Sequence, residues 1–147
     1  MTWRDLLENR QVQRHQTTRQ EIASLRGLVT RDLTDAGCAG LSADRRFATA
    51  YNAVLQLCKM VIACAGYRVS SGPGHHRNTL EAAAVAVGEA GPYADYFDAC
   101  RRKRNRIDYD YAYVATDSEA EEILAEAREF EQIVEAWIGR QHPEFKA

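Results

Sequence analysis

No part of this chain stays apolar long enough to read as a membrane span. The most apolar window, residues 53–66, is interrupted by Gln56 and Lys59 and falls short of the roughly 20 residues a spanning helix needs. The opening segment from Met1 to Arg10 carries charges where a signal peptide requires an apolar run, so secretion by that route is not expected and a cytoplasmic location is. Cysteine is sparse, and Cys38, Cys58, Cys64 and Cys100 form no Cys-x-x-Cys pair. Those inside apolar helical patterns are expected to be reduced core residues. A zinc site drawing on His75 and His76 would need ligand spacings the sequence lacks, so neither metal nor cofactor is predicted. A large excess of one charge sign is missing as well: a formal net charge of −2 gives no whole-surface attraction to nucleic acid. Sustained strand-like alternation, internal repeats and low-complexity tracts are absent too, which removes most β and solenoid architectures.

What remains is an ordinary globular composition, 46% hydrophobic and 27% charged over 147 residues. A chain of this size buries roughly 70% of the surface it exposes when unfolded, so one domain over 1–147 with its own core is expected. Thr2 caps a short first helix with Trp3, Leu6 and Leu7 on one side. Thr18-Arg-Gln-Glu21 is a capping box, and Ile22, Leu25, Val29 and Leu33 follow at helical spacing before Gly37. Ser42 caps a third helix whose stripe, Phe47, Tyr51, Val54, Cys58, Val61 and Ala65, stops at Gly66. Residues 67–76 read as a loop, followed by a short small-residue helix through Leu80, Ala83, Ala84 and Val87. Pro92 opens a fifth helix ending near Ile107, and Ser118-Glu-Ala-Glu121 a sixth with Ile123, Ala127, Phe130, Val134 and Trp137 inward and Gly139 at its close. The prediction is all-α: an antiparallel four-helix-type bundle with one or two short extra helices.

Charge is distributed unevenly. Arg101, Arg102, Lys103, Arg104 and Arg106 crowd one helix end, whereas eight acids lie between Asp117 and Glu135 against Arg128 alone. Cations in a last helical turn gain about 0.3–1 kcal/mol each from the helix dipole, but five exceed that need. Side chains turning 100° per residue must fan around the helix, and Arg104 is spaced to pair with Asp108 at i,i+4. An arginine short of full neutralisation is a bidentate phosphate ligand, and nearby tyrosines can stack on bases. An RNA or nucleotide site is therefore predicted around Arg101, Arg102, Lys103, Arg104 and Arg106, with Asn105, Asp108, Tyr109 and Tyr111 beside them where the helix runs out.

The run Arg104-Asn-Arg-Ile-Asp-Tyr109-Asp-Tyr111 resembles the signature of HEPN domains, Arg-Asn-x-x-x-His, and Tyr51-Asn-Ala, Gly66-Tyr-Arg and Gly74-His-His resemble small bacterial members of that superfamily. The resemblance implies a small helical bundle, commonly a homodimer, with the motif near the end of the penultimate core helix. It further implies metal-independent RNA cleavage as the toxin of a toxin and antitoxin pair, often beside a nucleotidyltransferase partner. Arg104 would then hold the scissile phosphate, with Asn105 as polar support. Tyr109 stands where the motif has His, and a phenol with an ordinary pKa of about 10 is a poor base at neutral pH. Three substitutes stay open: a Tyr109 tyrosinate, Asp108 or Asp110, and His75 or His76 reaching in. One branch extends the motif to Arg-x4-His-x-Tyr, with the last Tyr adenylylated by the partner, and Tyr111 has that spacing. The alternative reading is a non-catalytic helical dimer that binds a nucleotide, RNA or protein partner.

Overall fold

The computed structural model describes residues 1–72, 74–88, 91–109 and 112–147. Helices run over Trp3–Glu8 (α1), Arg19–Ala36 (α2), Ala43–Cys64 (α3), His75–Val87 (α4), Gly91–Tyr109 (α5) and Asp117–Gln141 (α6), and a 3-10 turn covers Pro143–Phe145. The fold is the expected all-α helical bundle, with α2, α4, α5 and α6 packed around α3 and the short α1 beside α4.

Phe47, Tyr51, Val54, Cys58 and Val61 of the predicted stripe are buried, while Ala65 is the half-buried C-cap of α3; Ala53, Leu55, Leu57, Met60 and Ile62 are buried as well. The reason is that α2, α4, α5 and α6 all pack on this one helix. By length and composition α3 is apolar enough to cross a membrane, yet 72% of that window is buried inside the fold, as befits a central core helix. Phe97 from α5 and Ile123, Ala127, Phe130 and Val134 from α6 complete the main core. Leu6, Val12, Ile62 and Ala82 form a second, smaller cluster beneath α1.

Three local expectations change. Residues 67–76 are not all loop: Tyr67–Val69 (β2) pairs antiparallel with Val12–Arg14 (β1), in the register Val12 to Val69 and Arg14 to Tyr67. Trp3 stacks on Tyr67 at 4.4 Å, which fastens α1 over this ladder. Helix α4 begins at His75, so both histidines lie in its first turn and not in the preceding loop. Helix α6 is capped two residues earlier than expected, by Thr116 with Glu119 as the reciprocal partner, and it runs past Gly139 to Gln141.

The box at α2 is half formed. Thr18 accepts from the Glu21 N–H at 3.1 Å, but the Glu21 carboxylate accepts from Thr17 Oγ1 at 2.7 Å and lies 2.8 Å from His15 Nε2. Near the middle of α2 Arg26 donates twice to Glu135, at 2.7 and 2.9 Å, and again to the Phe145 carbonyl at 3.0 Å. One guanidinium thus ties α2, α6 and the C-terminal turn together.

Candidate functional site around Arg104

The cations of α5 do not form one bare patch, because the helix turns them toward different neighbours. Asp98 accepts from Arg101 at 2.8 Å and from Arg102 at 3.0 Å, one turn earlier on the same helix. Lys103 points the other way, forming an ion pair with Glu119 of α6 and lying 6.0 Å from the centre of the Phe47 ring. Arg106 is exposed. The i,i+3 and i,i+4 spacing of Asp98 to the two arginines accounts for both pairs.

Arg104 is turned inward toward α3. Its side chain is 17% exposed, and its guanidinium carbon lies 5.8 Å from the centre of the Tyr51 ring. Nη2 reaches Asn52 Oδ1 at 3.5 Å. Nε lies 3.0 Å from Asp108 Oδ2, yet the N–H does not point along that line. The contact is therefore ionic, and the buried Nε–H has no hydrogen-bond acceptor among the described residues. Arg104, Asp108, Asn52, Thr49, Arg45 and Asp44 help to line a cleft of about 420 Å³ between α3 and the end of α5. Asp44 also accepts the Tyr113 and Ala115 N–H groups, each at 2.7 Å, and so fixes the chain entering α6 against this cleft.

Tyr51, which belongs to the core stripe of α3, also lies beside Arg104. It is 0% exposed, and its hydroxyl has no hydrogen-bond partner among the described residues. Burial pushes the phenol pKa up and the neighbouring Cys58 adds to this, while Arg101 and Arg104 pull it back down. The His76 ring lies 6.4 Å from the Tyr51 ring, centre to centre, on α4. Burial, together with the charges of His75, Arg104, Lys59 and Arg101, lowers His76 to about 4, so its imidazole is neutral at pH 7. His75 is exposed, stands edge-on to His76 at 4.2 Å, and has Nδ1 3.2 Å from the Gly72 carbonyl.

The motif residues divide accordingly. Arg104 and Asp108 meet, Asn105 is half-buried, and Tyr109 is 78% exposed and not among the residues lining the Arg104 cleft. Asp110 and Tyr111 lie outside the described residues. Of the histidines, His76 approaches the Tyr51 and Arg104 group, and His75 borders a second cleft, of about 390 Å³, with Lys59, His15 and Arg68. Among the described residues no group of three or more His, Cys, Asp and Glu side chains is arranged to hold a metal ion. Chemically, the assembly offers guanidinium donors for an anion and one neutral imidazole beside them.

No curated protein and no solved structure matches the chain. A family model described as SAV_6107-like HEPN matches residues 39–135. That span runs from before α3 into the last turns of α6 and includes every residue of the Arg104, Tyr51 and His76 group. The chain therefore belongs to the SAV_6107-like HEPN family.

Proposed function

We propose that this protein binds RNA at Arg104 and cuts its backbone without a metal ion, as the toxin-like member of a toxin and antitoxin or defence-type system. The observation that carries this reading is the state of Arg104: a half-sequestered guanidinium lining an open cleft, with one buried N–H still lacking an acceptor. A phosphate oxygen entering the cleft can accept from this guanidinium in competition with Asp108, and a preorganised cation of this kind stabilises the charge that builds on the phosphorus oxygens during cleavage. A homodimer accompanies the reading. Tyr109 and Tyr113, 78% and 95% exposed near the end of α5, offer aromatic surface for a second copy. A nucleotidyltransferase is the class of antitoxin partner, and Tyr111 is the residue it would modify, on spacing alone.

Purified protein incubated with single-stranded RNA in excess chelator tests the reading. Cleavage that Arg104→Ala abolishes, with the helical circular dichroism spectrum unchanged, supports it. Absence of cleavage by the wild type overturns the enzyme. The second reading, a binding module without catalysis, draws on a different observation: Asp108 already compensates Arg104, and Tyr109 turns outward from its cleft. RNA that binds in an Arg104-dependent way and stays intact selects it.

A further inference from the structure

The family motif provides its imidazole from the same helix as its arginine, and here that position is Tyr109, exposed and outside the cleft. An imidazole nevertheless stands near Arg104, from a different helix. We propose that His76, in the first turn of α4, is the base that accepts the ribose 2′-hydroxyl proton while Arg104 holds the adjoining phosphate, the two meeting over Tyr51. This rests on the RNA-cleaving reading above and supplies its missing residue.

The geometry comes from three helices. Tyr51 of α3 is the neighbour both share, with the Arg104 guanidinium 5.8 Å and the His76 ring 6.4 Å from its ring centre. The charge of Arg104 is felt at His76, as are those of Lys59 and Arg101. Asn52 and Lys59 of α3 are seven residues apart, two helical turns, and so share one face. That face borders the Arg104 cleft at Asn52 and the His75 cleft at Lys59. Arg104 lines the first of these clefts and Lys59 the second, and the charge of each acts on His76. The Tyr51 hydroxyl, fully buried without an acceptor among the described residues, leaves an uncompensated polar group between these two side chains.

The electrostatics make the substrate part of the device. His76 faces His75 on its own helix, Tyr51 and Lys59 on α3, and Arg101 and Arg104 on α5, with Asp98 compensating Arg101. Cations dominate these neighbours and favour the neutral imidazole. A bound phosphodiester brings negative charge among them and restores the proton affinity of His76 toward its ordinary value, where it is a stronger base. In the step itself the 2′-hydroxyl proton passes to a His76 ring nitrogen. The 2′-oxygen forms a bond to phosphorus and the bond from phosphorus to the 5′-oxygen breaks. Water protonates the departing 5′-oxygen, and His76 returns its proton to the resulting hydroxide. The products are a 2′,3′-cyclic phosphate and a 5′-hydroxyl end.

The test uses the wild-type chain and an RNA oligonucleotide whose 2′-oxygens are methylated, which binds without being cut. Histidine ring signals are followed by NMR through a pH titration, with and without this probe. The expected result is that the His76 midpoint, near about 4 in the free protein, rises toward 6.5 in the complex. Alongside, His76→Gln slows cleavage of unmodified RNA by about 100-fold or more while binding the probe as the wild type does. A His76 titration unmoved by bound probe, or His76→Gln cleaving at the wild-type rate, overturns the assignment and leaves RNA binding at Arg104 intact. A probe that does not bind at all overturns both readings.

Discussion

Asp108 follows Arg104 by one helical turn on α5 and holds its carboxylate 3.0 Å from Nε, so the cation that faces the cleft is already compensated within its own helix. The pair is a restraint on anion binding. Any phosphate entering the cleft competes with a tethered carboxylate for the same guanidinium edge.

Replacing that carboxylate should release the guanidinium. Asp108→Asn is expected to tighten binding of a labelled single-stranded RNA by about 3- to 10-fold, and to steepen its salt dependence by about 0.7 in the logarithmic slope, the value of one further phosphate contact. Fluorescence anisotropy across a salt series measures both. Weaker binding by the variant would show that Asp108 assists the ligand and does not compete with it.

The Tyr51 hydroxyl is a buried donor without an acceptor among the described residues. Tyr51→Phe keeps the ring and removes the uncompensated group, which is expected to stabilise the free protein by about 1 kcal/mol. For a chain of this length that is a rise in Tm of about 2–4 °C by calorimetry. A fall of similar size would mean that the hydroxyl is bonded in solution.

His76 also sets a pH dependence. The ordinary histidine value of 6.5 applies to the unfolded chain, and the folded value is lowered to about 4, first by burial and then by His75 and the neighbouring cations. Between these values the unfolded state binds the additional proton, so stability declines as pH falls from 6.5 toward 4. His76→Gln removes this contribution, and its Tm should fall less steeply over that interval than the wild-type Tm. Parallel profiles would contradict a buried, neutral His76.

Arg26 is the principal tie between α2, α6 and the C-terminal turn, through its two bonds to Glu135 and one to the Phe145 carbonyl. Both side chains are partly shielded, at 23% and 30% exposure. Arg26→Ala is expected to cost about 2 kcal/mol, and a double-mutant cycle with Glu135→Gln should show a coupling of about 1 kcal/mol. Additive losses in urea unfolding would reduce the contact to a surface pair.

Helices α2, α3 and α6 were legible because Ile22, Val29 and Leu33, then Phe47, Tyr51 and Val54, then Ile123, Phe130 and Val134 recur at helical spacing and are all buried. The cap of α6 was ambiguous, since Thr116-x-x-Glu119 and Ser118-x-x-Glu121 both fit the box and only packing selects the first. The ladder was not legible at all. Strands of three residues, Val12–Arg14 and Tyr67–Val69, are too short for alternation to show. For the site, the Arg104 and Asp108 pair follows from spacing along one helix. The approach of His76 to Tyr51 and Arg104 brings together three helices, and no spacing in the chain encodes it.

The ladder has a consequence for how this chain can vary. Beyond its three residue pairs it is extended by the Ser70 N–H bonded to the Gln11 carbonyl and the His15 N–H bonded to the Gly66 carbonyl, each at 2.9 Å. It therefore anchors the chain immediately before the turn into α4. One end of that anchor, β1, lies outside the span matched by the family. The segment from Val69 to His75 is thus a phase coupling between an accessory strand and the histidine: a length change that propagates into α4 turns His76 away from Tyr51 by about 100° per residue. Insertions should accumulate between α2 and α3, where no such alignment depends on loop length, before they are accepted ahead of α4.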